Sequence, residues 1–130
     1  MTMIAGFRVQ DGILLCSDTE WSGGTVKLYD SKIFTHPFQG GLVSFAVAGN
    51  EGNAKMVIQD CQDALVFGRS RPYTPKELKR ILREAVRSIQ EKYVENKSGE
   101  EKDKADFQLI ISLRLKSEGM LLLSSIGPAV

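Results

Sequence analysis

The stretch Leu42-Val43-Ser44-Phe45-Ala46-Val47-Ala48-Gly49-Asn50-Glu51-Gly52-Asn53-Ala54 decides the fold, because the hydrophobic period changes inside it. Leu42 to Ala48 is a short apolar run entered through Gln39-Gly40-Gly41, the pattern of a strand buried on both faces. Past Gly49-Asn50, the residues Ala54, Val57, Ile58, Cys61, Ala64 and Leu65 recur at intervals of three and four. That spacing predicts a helix with one apolar face, Asn53 as its N-cap and an end near Gly68. A strand buried on both sides belongs to a central sheet, so the helix covers one face and the other needs a separate cover.

Outward from this junction, Thr74-Pro75-Lys76-Glu77 reads as a capping box with proline at the first helical position. Leu78, Ile81, Leu82, Ala85, Val86, Ile89 and Tyr93 give the second helix its apolar face, while Lys79, Arg80, Arg83, Glu84 and Arg87 read as a solvated one. Towards the N-terminus, Ile4 to Val9 and Ile13 to Cys16 flank the turn Gln10-Asp11-Gly12 and predict a hairpin. Ser22-Gly23-Gly24 breaks the pattern, and Ser31 to Thr35 predicts a short strand stopped by Pro37. Asn96 to Lys104 reads as a polar loop, and Phe107 to Leu115 with Met120 to Ile126 as a second hairpin. Strands, two helices, then strands is the order of a single α+β domain over residues 1–130, with helices stacked on a sheet and room for a second sheet.

Composition removes several functions. The 130 residues carry seventeen Lys and Arg against sixteen Asp and Glu, a net charge of +1, so a dedicated nucleic-acid binder is not expected. Apolar runs such as Met120 to Leu123 fall far short of the roughly 20 residues of a membrane span. The N-terminus lacks a basic region followed by an apolar core, which predicts a cytoplasmic protein. Cys16 and Cys61 sit among apolar neighbours without metal-ligand spacing and read as buried free thiols. Asp11, Asp18, Glu20 and Asp30 lack calcium-loop spacing, and the glycine pairs lack the Lys-Ser/Thr of a phosphate loop. No metal or cofactor is expected. The single histidine, His36, precedes Pro37 and reads as structural, so a hydrolase built on this chain must activate its nucleophile without histidine.

Thr2 offers such a route. Removal of Met1 would expose a threonine whose own α-amine, with a pKa near 8, can accept its hydroxyl proton. With Met1 attached, that nitrogen is an amide and cannot serve. The surrounding landmarks stand in order: Thr2-Met-Ile-Ala-Gly-Phe-Arg-Val, Asp11-Gly-Ile-Leu-Leu-Cys-Ser-Asp18, Ser31-Lys32-Ile33 and Phe45-Ala-Val-Ala-Gly49. Together they resemble the N-terminal part of proteasome β-type subunits and their bacterial relatives, the proteasome-like N-terminal-nucleophile hydrolases.

The resemblance implies an αββα four-layer sandwich of which this chain holds the first part, with two helices and two groups of antiparallel strands. It also implies a threonine-type hydrolase that cleaves peptide bonds. Thr2 would be the nucleophile, Asp18 would orient Lys32, Lys32 would ease proton removal through its charge, and the Gly49 N–H would face the oxyanion. Expected partners are a peptide or unfolded-protein substrate, further copies in a ring and a separate unfoldase, with neither nucleic acid nor membrane. The alternatives are a non-catalytic or truncated proteasome-like subunit with an assembly role, and an unrelated α+β interaction module in which Thr2 has no task.

Overall fold

The computed structural model describes residues 3–10, 12–18, 20–23, 26–29, 31–116 and 119–126. In chain order the elements are β1 (Ile4–Val9), β2 (Gly12–Ser17), β3 (Glu20–Gly23), β4 (Val26–Tyr29), β5 (Ile33–Phe38), β6 (Gly41–Gly49), α1 (Glu51–Ala64), α2 (Pro75–Tyr93), α3 (Gly99–Ala105), β7 (Phe107–Leu115) and β8 (Gly119–Ile126). The strands on either side of the helices join in one antiparallel sheet of order β5-β6-β7-β8, while β1-β2 and β3-β4 pair separately. The apolar run of β6 is therefore a central strand, as its composition requires.

Alternation along β6 and β7 divides their side chains between two faces. Val43, Phe45 and Val47 join Phe107, Leu109, Ile111 and Leu113 in a core shared with Val57 and Cys61 of α1 and Leu78, Leu82 and Val86 of α2. Each such side chain contributes about 1.5–3 kcal/mol by leaving water, so Phe45→Ala would cost about 3–5 kcal/mol. The hairpin β1-β2 lies across the other face, in contact with β5 to β8. A cavity of about 180 Å³ between them is lined by Gly12, Ile13, Leu42, Ser44, Ser112, Leu113 and Arg114. The described order is thus helices, sheet, hairpin, an α+β arrangement as expected.

Several expectations need correction. Asn50, not Asn53, caps α1, with its Oδ1 accepting from Asn53 N at 2.9 Å. Both asparagines fit the pattern, but β6 ends at Gly49 with φ +89° and leaves Asn50 as the first residue able to reach the free N–H groups. Pro37 does not stop β5, which runs on to Phe38. Val47 N donates to Lys32 O at 2.9 Å, and Pro37 pairs with Leu42, so the register turns the proline nitrogen towards the open edge where no donor is required. The polar segment 96–104 is not all loop, since Gly99–Ala105 is helical. Only Ala105 of that helix is buried, so the sequence shows no apolar stripe to reveal it. Gly23 pairs with Val26 in a short hairpin where the sequence suggested only a break.

Cysteine exposure divides too. Cys61 is buried, but Cys16 is exposed on the hairpin face opposite Ala5. Burial, and secondarily Asp60, pushes the Cys61 thiol up to about 12. His36 has the structural role expected, with Nε2 3.0 Å from Leu65 O. Among the described residues no helix is long and apolar enough to cross a membrane.

Candidate functional site

Asp18 follows β2 and stands beside the start of β1. Its backbone N donates to Met3 O at 3.2 Å, and its Oδ2 accepts from Met3 N at 2.9 Å. The other carboxylate oxygen, Oδ1, accepts from Lys32 Nζ at 2.5 Å. One carboxylate therefore holds both the backbone amide of the residue after Thr2 and the ammonium of Lys32. Lys32 is fully buried, while the Asp18 side chain is 37% exposed. Burying a cation wholly out of water is costly unless it is paired and hydrogen-bonded, and Asp18 supplies such a bond.

Lys32 is also tied to β6 through the bond from Val47 N to its carbonyl oxygen. Gly49 lies two residues farther along, about 7 Å at the rise of a strand. Asn50 N donates to Asp106 O at 2.8 Å and Lys116 N to Gly40 O at 3.0 Å, so the even-numbered residues of β6 bond to β7. The Gly49 N–H then points the other way, towards the side where Lys32 precedes β5. Asp18, Lys32 and the Gly49 amide thus gather at one end of the sheet. Thr2 lies outside the described residues, but the Met3 amide brings the chain within one residue of it.

A second group of residues fixes Gly49, and the sequence reading missed it. Asn50 Nδ2 donates to Lys104 O at 2.9 Å, Asn53 Nδ2 to Ala105 O at 2.8 Å, and Asn50 N to Asp106 O. Three consecutive carbonyls at the junction of α3 and β7 are held by two asparagines of α1's first turn. Asp106 Oδ1 in turn accepts from Phe107 N at 2.8 Å and from Gln90 Nε2 at 3.4 Å. A Cβ at position 49 would stand 2.6 Å from Asp106 O, so only glycine fits there. The pair Asn50 and Asn53 at helix-cap spacing was the one available signal; their partners lie some fifty residues away.

Chemically, this end of the sheet offers a buried cation, a carboxylate that orients it and a backbone N–H on a rigid turn. Among the described residues no three His, Cys, Asp or Glu side chains could hold a metal ion.

No family model and no curated protein matches the chain. Solved structures do. The chain superposes on an Anbu (Gly-1) mutant from Hyphomicrobium sp. strain MC1 with a TM-score of 0.71 and 17% identity, covering 98% of this chain and 52% of that one. For Anbu (ancestral beta-subunit) from Yersinia bercovieri the values are 0.69 and 17%, over 98% and 53%. For the helical assembly of the Anbu complex from Pseudomonas aeruginosa they are 0.69 and 17%, over 98% and 54%. The chain therefore spans about half the length of these proteins and shares their proteasome-like fold. Its sequence-based assignment to the proteasome β-type N-terminal-nucleophile hydrolases does not stand. The structures that match are Anbu proteins, and likeness at 17% identity establishes a common fold without membership of that hydrolase family.

Proposed function

We propose that the chain carries the front part of a threonine-type hydrolase site acting on peptide bonds. The observation that supports this reading best is the Asp18 carboxylate, which bridges the Met3 amide and the Lys32 ammonium. With Met1 removed, the α-amine of Thr2 takes the hydroxyl proton as Oγ1 attacks the peptide carbonyl. Lys32, held by Asp18, favours the developing alkoxide through its charge, and the Gly49 N–H donates to the oxyanion. The carbon–nitrogen bond then breaks, the departing amine takes the proton, and water hydrolyses the threonyl ester to regenerate Thr2. No cofactor takes part.

Further copies, a peptide or unfolded-protein substrate and a separate unfoldase belong to the same reading. Self-association is supported by the helical assembly of the Pseudomonas aeruginosa neighbour and by the exposed Met3, Phe7, Val9 and Leu14 on this chain. The two free thiols suit a reducing cytoplasm.

The test compares protein beginning at Thr2, verified by mass spectrometry, with its Thr2→Ala and Lys32→Met variants on a fluorogenic peptide. Turnover should fall to background in both variants. Equal rates in all three would refute the threonine mechanism.

A further inference from the structure

The outward face of α2 has no place in the chemistry above, yet it carries five exposed cations, with Glu84 and Glu91 along one flank. Lys76, Lys79, Arg80, Arg83 and Arg87 are all exposed and, at 3.6 residues per turn, fall on the side opposite the buried Leu78, Leu82, Ala85 and Ile89. Arg80 lies 3.5 Å from Glu84, whereas Lys76, Lys79, Arg83 and Arg87 make no ion pair among the described residues. A groove of about 610 Å³ runs along this face, lined by Thr74, Lys76, Glu77, Lys79, Arg80 and Arg83.

Two physical arguments separate this stripe from an ordinary solvated face. Lys76 and Arg80, Lys79 and Arg83, and Arg83 and Arg87 are like-charged pairs four residues apart, each of which disfavours the helix. Lys76 also stands in the first turn beside Glu77, at the positive end of the helix dipole. Both penalties are relieved by an anion laid along the groove.

We infer that the α2 stripe is a docking surface for an acidic segment of a partner protein. From Lys76 to Arg87 the stripe runs about 17 Å at 1.5 Å per residue, which about five residues of extended chain would span. A nucleic acid fits less well. The stripe holds no aromatic side chain for base stacking.

The probe is fluorescein-labelled hexaglutamate, titrated with the whole chain at low and high salt and followed by anisotropy. Binding should weaken as salt rises. It should weaken by about tenfold or more in Arg83→Glu/Arg87→Glu. The equally charged control Lys97→Glu/Lys116→Glu, on exposed residues away from the stripe, should stay within about twofold of the parent. Circular dichroism checks the fold, and Arg83→Gln/Arg87→Gln replaces the first variant if it melts early. Failure to bind hexaglutamate, equal weakening in stripe and control variants, or tighter binding of a six-nucleotide single strand to the same residues would each overturn the proposal. None of these outcomes depends on hydrolase activity.

Discussion

Lys32 shows how much a single residue commits the chain to. Its ammonium is fully buried against Asp18, so Asp18→Asn removes the carboxylate charge that faces it and should cost about 3 kcal/mol in urea unfolding. Lys32→Met removes the charge along with the pair and should cost less, because the partly exposed Asp18 carboxylate keeps its bond to the Met3 amide and reaches water. Gly49→Ala fails for a different reason. The new Cβ would meet Asp106 O, and the positive φ strains any side chain, so a loss of about 2 kcal/mol or more is expected in the same measurement. The thiols give a third outcome. With the Cys61 thiol pushed up to about 12, brief iodoacetamide treatment at pH 8 should label Cys16 alone, and mass spectrometry should count one adduct on folded chain and two on denatured. At this scale the positions of Asp18, Lys32 and Gly49 at the ends of strands were legible, because the order of such ends survives in sequence, while their chemical roles belong to the proposed function. Asn50, Asn53 and Asp106 were not. Their roles rest on bonds between residues more than fifty positions apart, which no local pattern records.

Elements were legible in proportion to the local chemistry that specifies them. The capping box of α2 is present as read, with Thr74 accepting from Glu77 N at 3.2 Å and Glu77 Oε1 3.3 Å from Thr74 N. Thr74→Ala should therefore cost about 1 kcal/mol. Glu77 also binds Arg69 at 3.1 Å, and that bond, then the Thr74 backbone amide, lowers its carboxyl below the ordinary value of 4.5. A carboxylate with a depressed folded pKa stabilises the protein above 4.5, and this contribution disappears as pH falls through the lower folded value. Melting temperatures below pH 5 should accordingly fall less steeply in Glu77→Gln than in the parent, while near pH 7 the variant melts earlier. By contrast, α3 has no cap bond from Ser98 and one buried side chain, so its helix is held by Asn50 and Asn53 rather than by its own sequence. That dependence is why it read as a loop.

At the scale of the molecule, the apolar runs of β6 and β7 announced a sheet covered on both sides, and the structure supplies helices on one face and the β1-β2 hairpin on the other. Too few helices for two-sided strands already implied that a second sheet would need its own cover, and the hairpin is where this falls. Ile13 faces the sheet, but Phe7, Val9 and Leu14 turn outward and remain more than half exposed. Phe7 and Leu14 are direct cross-strand partners, so they form one continuous apolar patch together with Met3, Val9 and Cys16. Contiguous apolar surface of this kind seeks a cover. The Anbu proteins that share the fold are about twice as long as this chain, so they hold further chain beyond the part matched here. For the chain alone, the patch should bind 8-anilinonaphthalene-1-sulfonate, and light scattering should show a mass that rises with concentration. Phe7→Glu/Leu14→Glu should abolish both effects while circular dichroism stays unchanged, because neither side chain contributes to the core between sheet and helices. If the parent chain neither binds the dye nor associates, the hairpin face is covered in solution and the three described layers are not the whole of the arrangement.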